Sequence, residues 1–156
     1  MRITLLQTGK TRDSFITEGV EEFNKRMSRY VPFAIDTIPD LKNSRNMTMK
    51  EVQEKEGILM LKRIKPVDYI ILLDERRRSF DSIGFAKHMN DLEGRVNHLQ
   101  FVIGGPYGFS QDVYKRANEK FSLSSLTFSH QLVRVLFMEQ LYRAYTILKG
   151  DPYHHA

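Results

Sequence analysis

The sequence contains no cysteine, which removes disulfide scaffolds, thiol nucleophiles and cysteine-ligated zinc or iron–sulfur centres together. A reducing compartment is compatible with that absence. Only 5 prolines and 9 glycines occur, against a hydrophobic fraction of 41% and a charged fraction of 28%, so neither the disordered nor the fibrous classes fit. No apolar run approaches the ~20 residues of a membrane span. The opening Met1-Arg2-Ile3-Thr4-Leu5-Leu6 is apolar too briefly for a secretory signal, because Gln7, Thr8 and Lys10 follow at once. The cytoplasm is the expected address. What remains is a chain of 156 residues, the size of one domain with its own core, and residues 1–156 are read as such. A net charge of +5 favours a polyanionic partner without identifying one.

Along the chain, strand and helix patterns alternate. Residues 2–6 read as a first strand, ending at Gly9. Residues 14–30 place Phe15, Ile16, Val20, Phe23 and Met27 at helical spacing, with Pro32 closing the helix. A second strand over 33–38 stops at Pro39, and 40–46 is a polar loop. Thr48 with Glu51 three residues on forms a capping-box pattern. It opens a helix through Val52, Glu56, Leu59, Met60 and Arg63 that breaks by Pro66. Gly57 inside that helix marks close packing or a bend. Tyr69-Ile70-Ile71-Leu72-Leu73 is a continuous apolar run, the pattern of a strand buried on both faces, which implies parallel sheet. Asp81 or Ser79 starts a helix through Ile83, Phe85, Met89 and Leu92 that Gly94 ends. Residues 99–103 form a further buried strand. The fold class is therefore α/β, a mostly parallel sheet with helices on both faces. Ligands in such sheets bind beyond the carboxyl ends of strands, which singles out the positions after Leu73 and after Ile103.

The last third carries the chemistry. Gly104-Gly105-Pro106-Tyr107-Gly108 follows a strand, yet it is neither the dinucleotide fingerprint nor a nucleoside-triphosphate loop, lacking the spacing of the first and the lysine of the second. Residues 112–118 read as a short helix. Phe121-Ser122-Leu123-Ser124-Ser125-Leu126-Thr127-Phe128 reads either as a strand with one wet face or as a backbone-rich loop. In the second case its amides and carbonyls hold an adenine edge while Leu123, Leu126 and Phe128 pack on the ring. Residues 132–148 form the strongest helix, with Leu132, Val135, Leu136, Leu141, Ala144, Tyr145 and Leu148 as a broad apolar surface. Glu139 and Arg143 stand four apart on it; alone, such a pair is a surface contact of a few tenths of a kcal/mol. His130, ahead of the helix, suits a structural or capping role more often than that of a base. Arg134 follows one turn later. Arg76-Arg77-Arg78 is a solvated loop or a phosphate-contacting patch. The terminal Pro152-Tyr153-His154-His155 follows a proline turn, where chain ends ordinarily fray. No third ligand at metal spacing stands beside the histidines, and no metal is expected.

Taken together, residues 101–109, the loop from Leu123 to Phe128, Ser129-His130-Gln131-Leu132-Val133-Arg134-Val135, Glu139-Gln140-Leu141-Tyr142-Arg143-Ala144 and Pro152-Tyr153-His154 resemble the RlmH, or YbeA-like, family of SPOUT ribosomal RNA methyltransferases. The likeness spans essentially the whole chain, including Gly9-Lys10 and Lys55-Glu56-Gly57. It implies a carboxyl-terminal deep trefoil knot, the SPOUT fold. The activity it implies is S-adenosyl-L-methionine-dependent methylation of pseudouridine N3 in 23S large-subunit ribosomal RNA, carried out by a homodimer on the assembled ribosome. Carried over residue by residue, the cofactor would touch Leu73, Gly104, Leu123, Ser124, Ser125, Leu126, Thr127 and Phe128. The substrate side would use His130, Glu139, Arg143, Tyr153 and His154, with a dimer partner helping to complete each site. Arg143 held by Glu139 would favour the anionic imide, and His154 or Tyr153 would move its proton or bond the base edge. The alternative readings are a non-catalytic S-adenosylmethionine- or RNA-binding regulator, which would tolerate loss of Tyr153 and His154, and a nicotinamide-dependent oxidoreductase, which would bind nicotinamide cofactors.

Overall fold

The computed structural model describes residues 1–155. Five parallel strands form one sheet in the order β2-β1-β4-β3-β5: β1 (Arg2–Thr8), β2 (Phe33–Ile38), β3 (Tyr69–Leu73), β4 (His98–Ile103) and β5 (Glu119–Phe121). Between them run α1 (Ser14–Met27), α2 (Met49–Arg63), α3 (Ser82–Glu93) and α4 (Gln111–Arg116), and α5 (Leu132–Lys149) ends the chain. The crossovers from β1 to β2 and from β3 to β4 step one way across the sheet; those from β2 to β3 and from β4 to β5 step the other way. A constant crossover hand therefore sends α1 and α3 to one face and α2 and α4 to the opposite face. The cores follow that division. Ile3, Leu5, Ile71, Leu99 and Phe101 pack with α1, α3 and α5, whereas Leu6, Ile70, Leu72 and Val102 pack against α2 and α4, as the two-residue alternation of a strand requires.

Several boundaries differ from the sequence reading. β1 runs on to Thr8, because its ladder to β2 continues and the polar Gln7 and Thr8 are buried beside it. α1 stops at Met27 rather than Tyr30, residues 28–30 forming a turn. Of the two candidate caps for α3, Asp81 is the one used, its Oδ1 accepting from the Gly84 amide at 2.6 Å. The Thr48 side chain accepts from the Glu51 amide at 3.1 Å, as expected. α4 begins one residue early on a Ser110 cap and ends at Arg116. The chain then enters β5, a strand the periodicity did not reveal. Three residues are too few to show alternation. The Asn118 carboxamide stands in for a backbone carbonyl by accepting from Ile70 N at 2.8 Å and so extends the pairing of β5 with β3.

On α5 the core face is Phe137, Met138, Leu141, Ala144 and Tyr145, while Leu132, Val135, Leu136 and Leu148 are half-buried on its flank. Arg134, at 1% exposure, is the largest charged group inside. Its guanidinium donates to the carbonyls of Gly9 at 2.9 Å and Thr8 at 2.6 Å, to Thr11 Oγ1 at 3.0 Å and to the His130 carbonyl at 3.2 Å. The planar fork satisfies the carbonyls left over where β1 ends, and it ties the start of α5 to them. Gly9 itself has φ of 75° and approaches Asp40 so closely that a Cβ would stand 2.4 Å from Oδ1. Arg134→Ala leaves those carbonyls unpaired and is expected to destabilise the fold by about 3 kcal/mol or more, with Arg134→Lys recovering little, as read by chemical denaturation.

Candidate active site

Beyond the carboxyl ends of β3 and β4 the loops enclose a cleft of about 750 Å³, within the range of ligand pockets. β3 delivers Leu73 and Asp74, and β4 delivers Ile103 and the glycine turn 104–108. The segment after β5 supplies Leu123, Ser124, Leu126, Thr127, Phe128 and His130, and α2 closes one side with Met49 and Gln53. The stretch 122–128 is a loop rather than a strand. Ser122 and Ser124 account for this: Ser122 Oγ bonds the Ser124 carbonyl at 2.5 Å, and Ser124 Oγ accepts from the Leu126 amide at 3.0 Å. Such short-range side-chain bonds favour turns over ladders. Leu126 is left 70% exposed at the mouth. Gly104 contributes bare backbone, for a Cβ there would meet the Phe109 ring at 3.1 Å.

Of the residues singled out for a cofactor, Leu73, Gly104, Leu123, Ser124, Leu126, Thr127 and Phe128 line this cleft; Ser125 does not. His130 also lines it. Its side chain does not cap α5. Gln131 holds the N-cap position without a side-chain cap bond, and Ser129 Oγ, two residues earlier, accepts from the Leu132 amide at 3.1 Å. Burial, then the positive charges of Arg134 and Arg12, push the His130 imidazole below its ordinary pKa, which keeps it neutral and able to accept a proton.

Glu139, Arg143, Tyr153 and His154 form a second group. Glu139 Oε1 accepts from Arg143 Nε at 3.1 Å and Nη2 at 2.5 Å and from the Tyr153 hydroxyl at 3.1 Å. Arg143 Nη1 meets His154 Nδ1 at 3.3 Å, and the guanidinium lies over the Tyr153 ring at 4.8 Å. The Glu139–Arg143 pair is thus a half-buried hub rather than a solvated surface contact. Burial and the neighbouring Glu139 raise the Tyr153 pKa, so the phenol is a donor at neutral pH. The tail folds back because Gly150 takes φ of 73°, and Asp151 N then bonds the Thr146 carbonyl at 2.9 Å, a left-handed helix stop. Tyr30 fastens the turn through Asp151 Oδ2 at 2.5 Å.

Within one chain the two groups stay apart. Arg143 is ten residues beyond Val133, the last cleft residue on α5, which is about 15 Å of helix. Of the arginine run, Arg76 lines the cleft and Arg77 is held by Asp74 at 3.3 Å and by the Tyr114 ring. Burial acts to raise the Asp74 pKa, but the Arg76 amide, the Tyr114 hydroxyl and Arg77 outweigh it and leave the carboxylate below its usual range. Among the described residues, no group of three histidine, aspartate or glutamate side chains is placed to hold a metal ion.

Two features escaped the sequence reading. Asp74 and Tyr114, bonded at 2.8 Å, come from separate elements with no shared motif. Glu56 could have been found, since it stands on the apolar face of α2 with Val52 and Met60, where a carboxylate is out of place. Burial raises its pKa from 4.5 to about 7, with the Gly105 amide pulling back and Asp40 adding to the rise. The folded chain then holds this proton where the unfolded chain has released it, so stability is full below pH ~4.5 and falls as pH rises to ~7. Glu56→Gln should gain stability over the wild type across that window, by roughly 3 kcal/mol once both are above it, measured by urea titration at a series of pH values.

The family model described as "Predicted SPOUT methyltransferase" matches residues 1–154. The chain is 47% identical over 156 residues to a Parabacteroides distasonis protein named Ribosomal RNA large subunit methyltransferase H, with 99% of each chain covered. Proteins of the same name from Flavobacterium johnsoniae and Bacteroides thetaiotaomicron are 46% and 47% identical over the same 99% of each chain.

Proposed function

The chain belongs to the SPOUT methyltransferases, and from that premise we propose that it transfers a methyl group from S-adenosylmethionine to N3 of a pseudouridine in 23S ribosomal RNA. It acts as a homodimer on the assembled ribosome, in the cytoplasm, through one domain of residues 1–156. The observation that carries this reading is the cleft at the ends of β3 and β4, whose walls combine backbone turns and apolar side chains, with the charged Asp74, Glu75 and Arg76 together on the β3 side. An adenosine moiety needs hydrogen bonds to its edge and apolar contact on its faces. Gly104 and the 122–128 loop offer the first; Leu73, Leu123, Leu126 and Phe128 offer the second. The residues present therefore fit the cofactor. We also propose that the chain is knotted, α5 passing through a loop of the chain before packing on α1 and α3.

When bound, S-adenosylmethionine supplies an activated methyl group, so the protein's task is alignment and charge control. Arg143, oriented by two bonds to Glu139, places a fixed positive charge that stabilises the imide anion as N3 loses its proton. Tyr153, whose hydrogen goes to Glu139, bonds the base edge through its hydroxyl oxygen, which accepts. His154, held at Arg143, takes the proton, while His130 stands at the cleft. Because the tail group and the cleft of one chain are separated along α5, each site joins the cleft of one protomer to the tail of the other. The half-buried Val135 and Leu136, with Phe15 exposed on the neighbouring α1, offer the apolar flank such a dimer would cover.

The test is transfer of tritiated methyl to ribosomes lacking their native base methylations, with protein-free ribosomal RNA in parallel and mass mapping of the product. Label on a single pseudouridine of intact ribosomes is expected. No label on either substrate, despite measurable cofactor binding, would replace this reading with a binding or regulatory role.

A further inference from the structure

Helix α2 carries a carboxyl that the reaction above does not use. Glu56 is 5% exposed, and its Oε2 has no hydrogen-bond partner among the described residues. It lies against the turn at the edge of the cleft: a Cβ on Gly105 would stand 2.4 Å from Oε2 and 2.7 Å from Oε1, so glycine alone lets the backbone come this close. Three residues earlier on α2, the Gln53 side chain donates to the Tyr107 carbonyl. One residue later, Gly57 receives Ser110, whose Oγ would stand 2.3 Å from a Cβ there. Positions three and four apart share a helix face. One face of α2 therefore grips the loop at Gly105, at Tyr107 and at Ser110. Among the described residues Asp40, paired with Arg12 at 3.2 Å, is the charged side chain that bears on Glu56. From α4 the contacts to this face are Ser110 and Val113, both uncharged.

We propose that Glu56 is the positioning residue of the cofactor loop: its carboxyl, wedged against Gly105, sets the turn at Gly104 and Gly105 in the shape that receives the methyl donor. The inference rests on the cleft being the S-adenosylmethionine site. In the neutral form the carboxyl fills its buried place without charge. Once ionised it demands more donors than the Gly105 amide alone supplies, and the turn must open to admit water. Cofactor affinity is thereby coupled to a proton held outside the chemistry, with its midpoint in the neutral range where Glu56 titrates. Asp40 acts in the same sense, since its charge opposes ionisation.

The probe is S-adenosylhomocysteine, whose thioether has no sulfonium charge to attract a carboxylate, bound calorimetrically between pH 6 and pH 8.5. Wild-type affinity is expected to fall several-fold across that range, and Glu56→Gln to bind with a flat profile close to the wild-type value at pH 6. Glu56→Ala should weaken binding by about tenfold or more. Hydrogen exchange of the amides of Gly104, Gly105, Tyr107 and Gly108, without ligand, should quicken in Glu56→Ala and stay slow in Glu56→Gln. A folded Glu56→Ala that binds as tightly as wild type, or a Glu56→Gln that keeps the wild-type pH profile, overturns the proposal. If the wild type binds no S-adenosylhomocysteine, the reading of the cleft is what fails; the exchange rates then decide for or against the grip of Glu56 on the turn. Should the alanine variant not fold, the pH profile of the glutamine variant decides by itself.

Discussion

Arg143→Ala is expected to lower methyl transfer by roughly 10²–10³-fold, the loss that follows removal of one preorganised charge from a developing anion, while the dissociation constant for S-adenosylmethionine moves by less than about threefold. The division follows from position. The guanidinium is held among Glu139, Tyr153 and His154, and none of that group lines the cleft of its own chain. Single-turnover transfer and calorimetric binding on the same preparation separate the two quantities. Glu139→Gln should reproduce much of the loss, because a neutral amide binds the fork less tightly and releases Arg143 to other rotamers. Weakened cofactor binding in the arginine variant would move Arg143 into the cofactor site and undo the assigned roles.

The second large effect is complementation. Gly104→Val fills the floor of the cleft, where even a bare Cβ meets Phe109 at 3.1 Å, and should abolish cofactor binding without touching the tail. Alone, it and Arg143→Ala are both expected to be inactive. Co-expressed with different tags, they should form mixed dimers in which one site joins an intact cleft to an intact tail. Random pairing makes half the dimers mixed, each with one working site of two, so about a quarter of wild-type activity should return. In the doubly tagged fraction, which holds only mixed dimers, transfer assays should read about half of the wild-type activity per dimer. Activity that stays at background there would mean the tail serves its own cleft, requiring a rearrangement of α5 instead of a partner.

Legibility differed between parts of the chain for identifiable reasons. The buried runs 69–73 and 99–103 announced parallel strands because a strand covered on both faces has no polar side to show. β5 was hidden, being three residues long and completed by an asparagine side chain. Thr48 and Asp81 were visible as caps because capping depends on neighbours a few residues away. Glu56 was overlooked although its spacing placed it on an apolar face. The arginine at 134 gave no sign of burial, since its partners lie at the end of β1, more than a hundred residues away in the chain.

The sequence by itself determined the alternation of strands and helices, the parallel sheet, the strand ends where ligands bind, and the glycine turn that follows β4. Each of these is set by periodicity or by bonds between near neighbours, which any stretch of chain carries within itself. Only the tertiary structure decided that Glu139, Arg143, Tyr153 and His154 form one hub, that this hub stands apart from the cleft, and that Arg134 and Glu56 are buried. Those facts depend on which groups meet after the chain has crossed the sheet and turned back at Gly150. Burial and pairing of charge are properties of the packed whole, because the cost of removing a charge from water is fixed by every surface that closes over it.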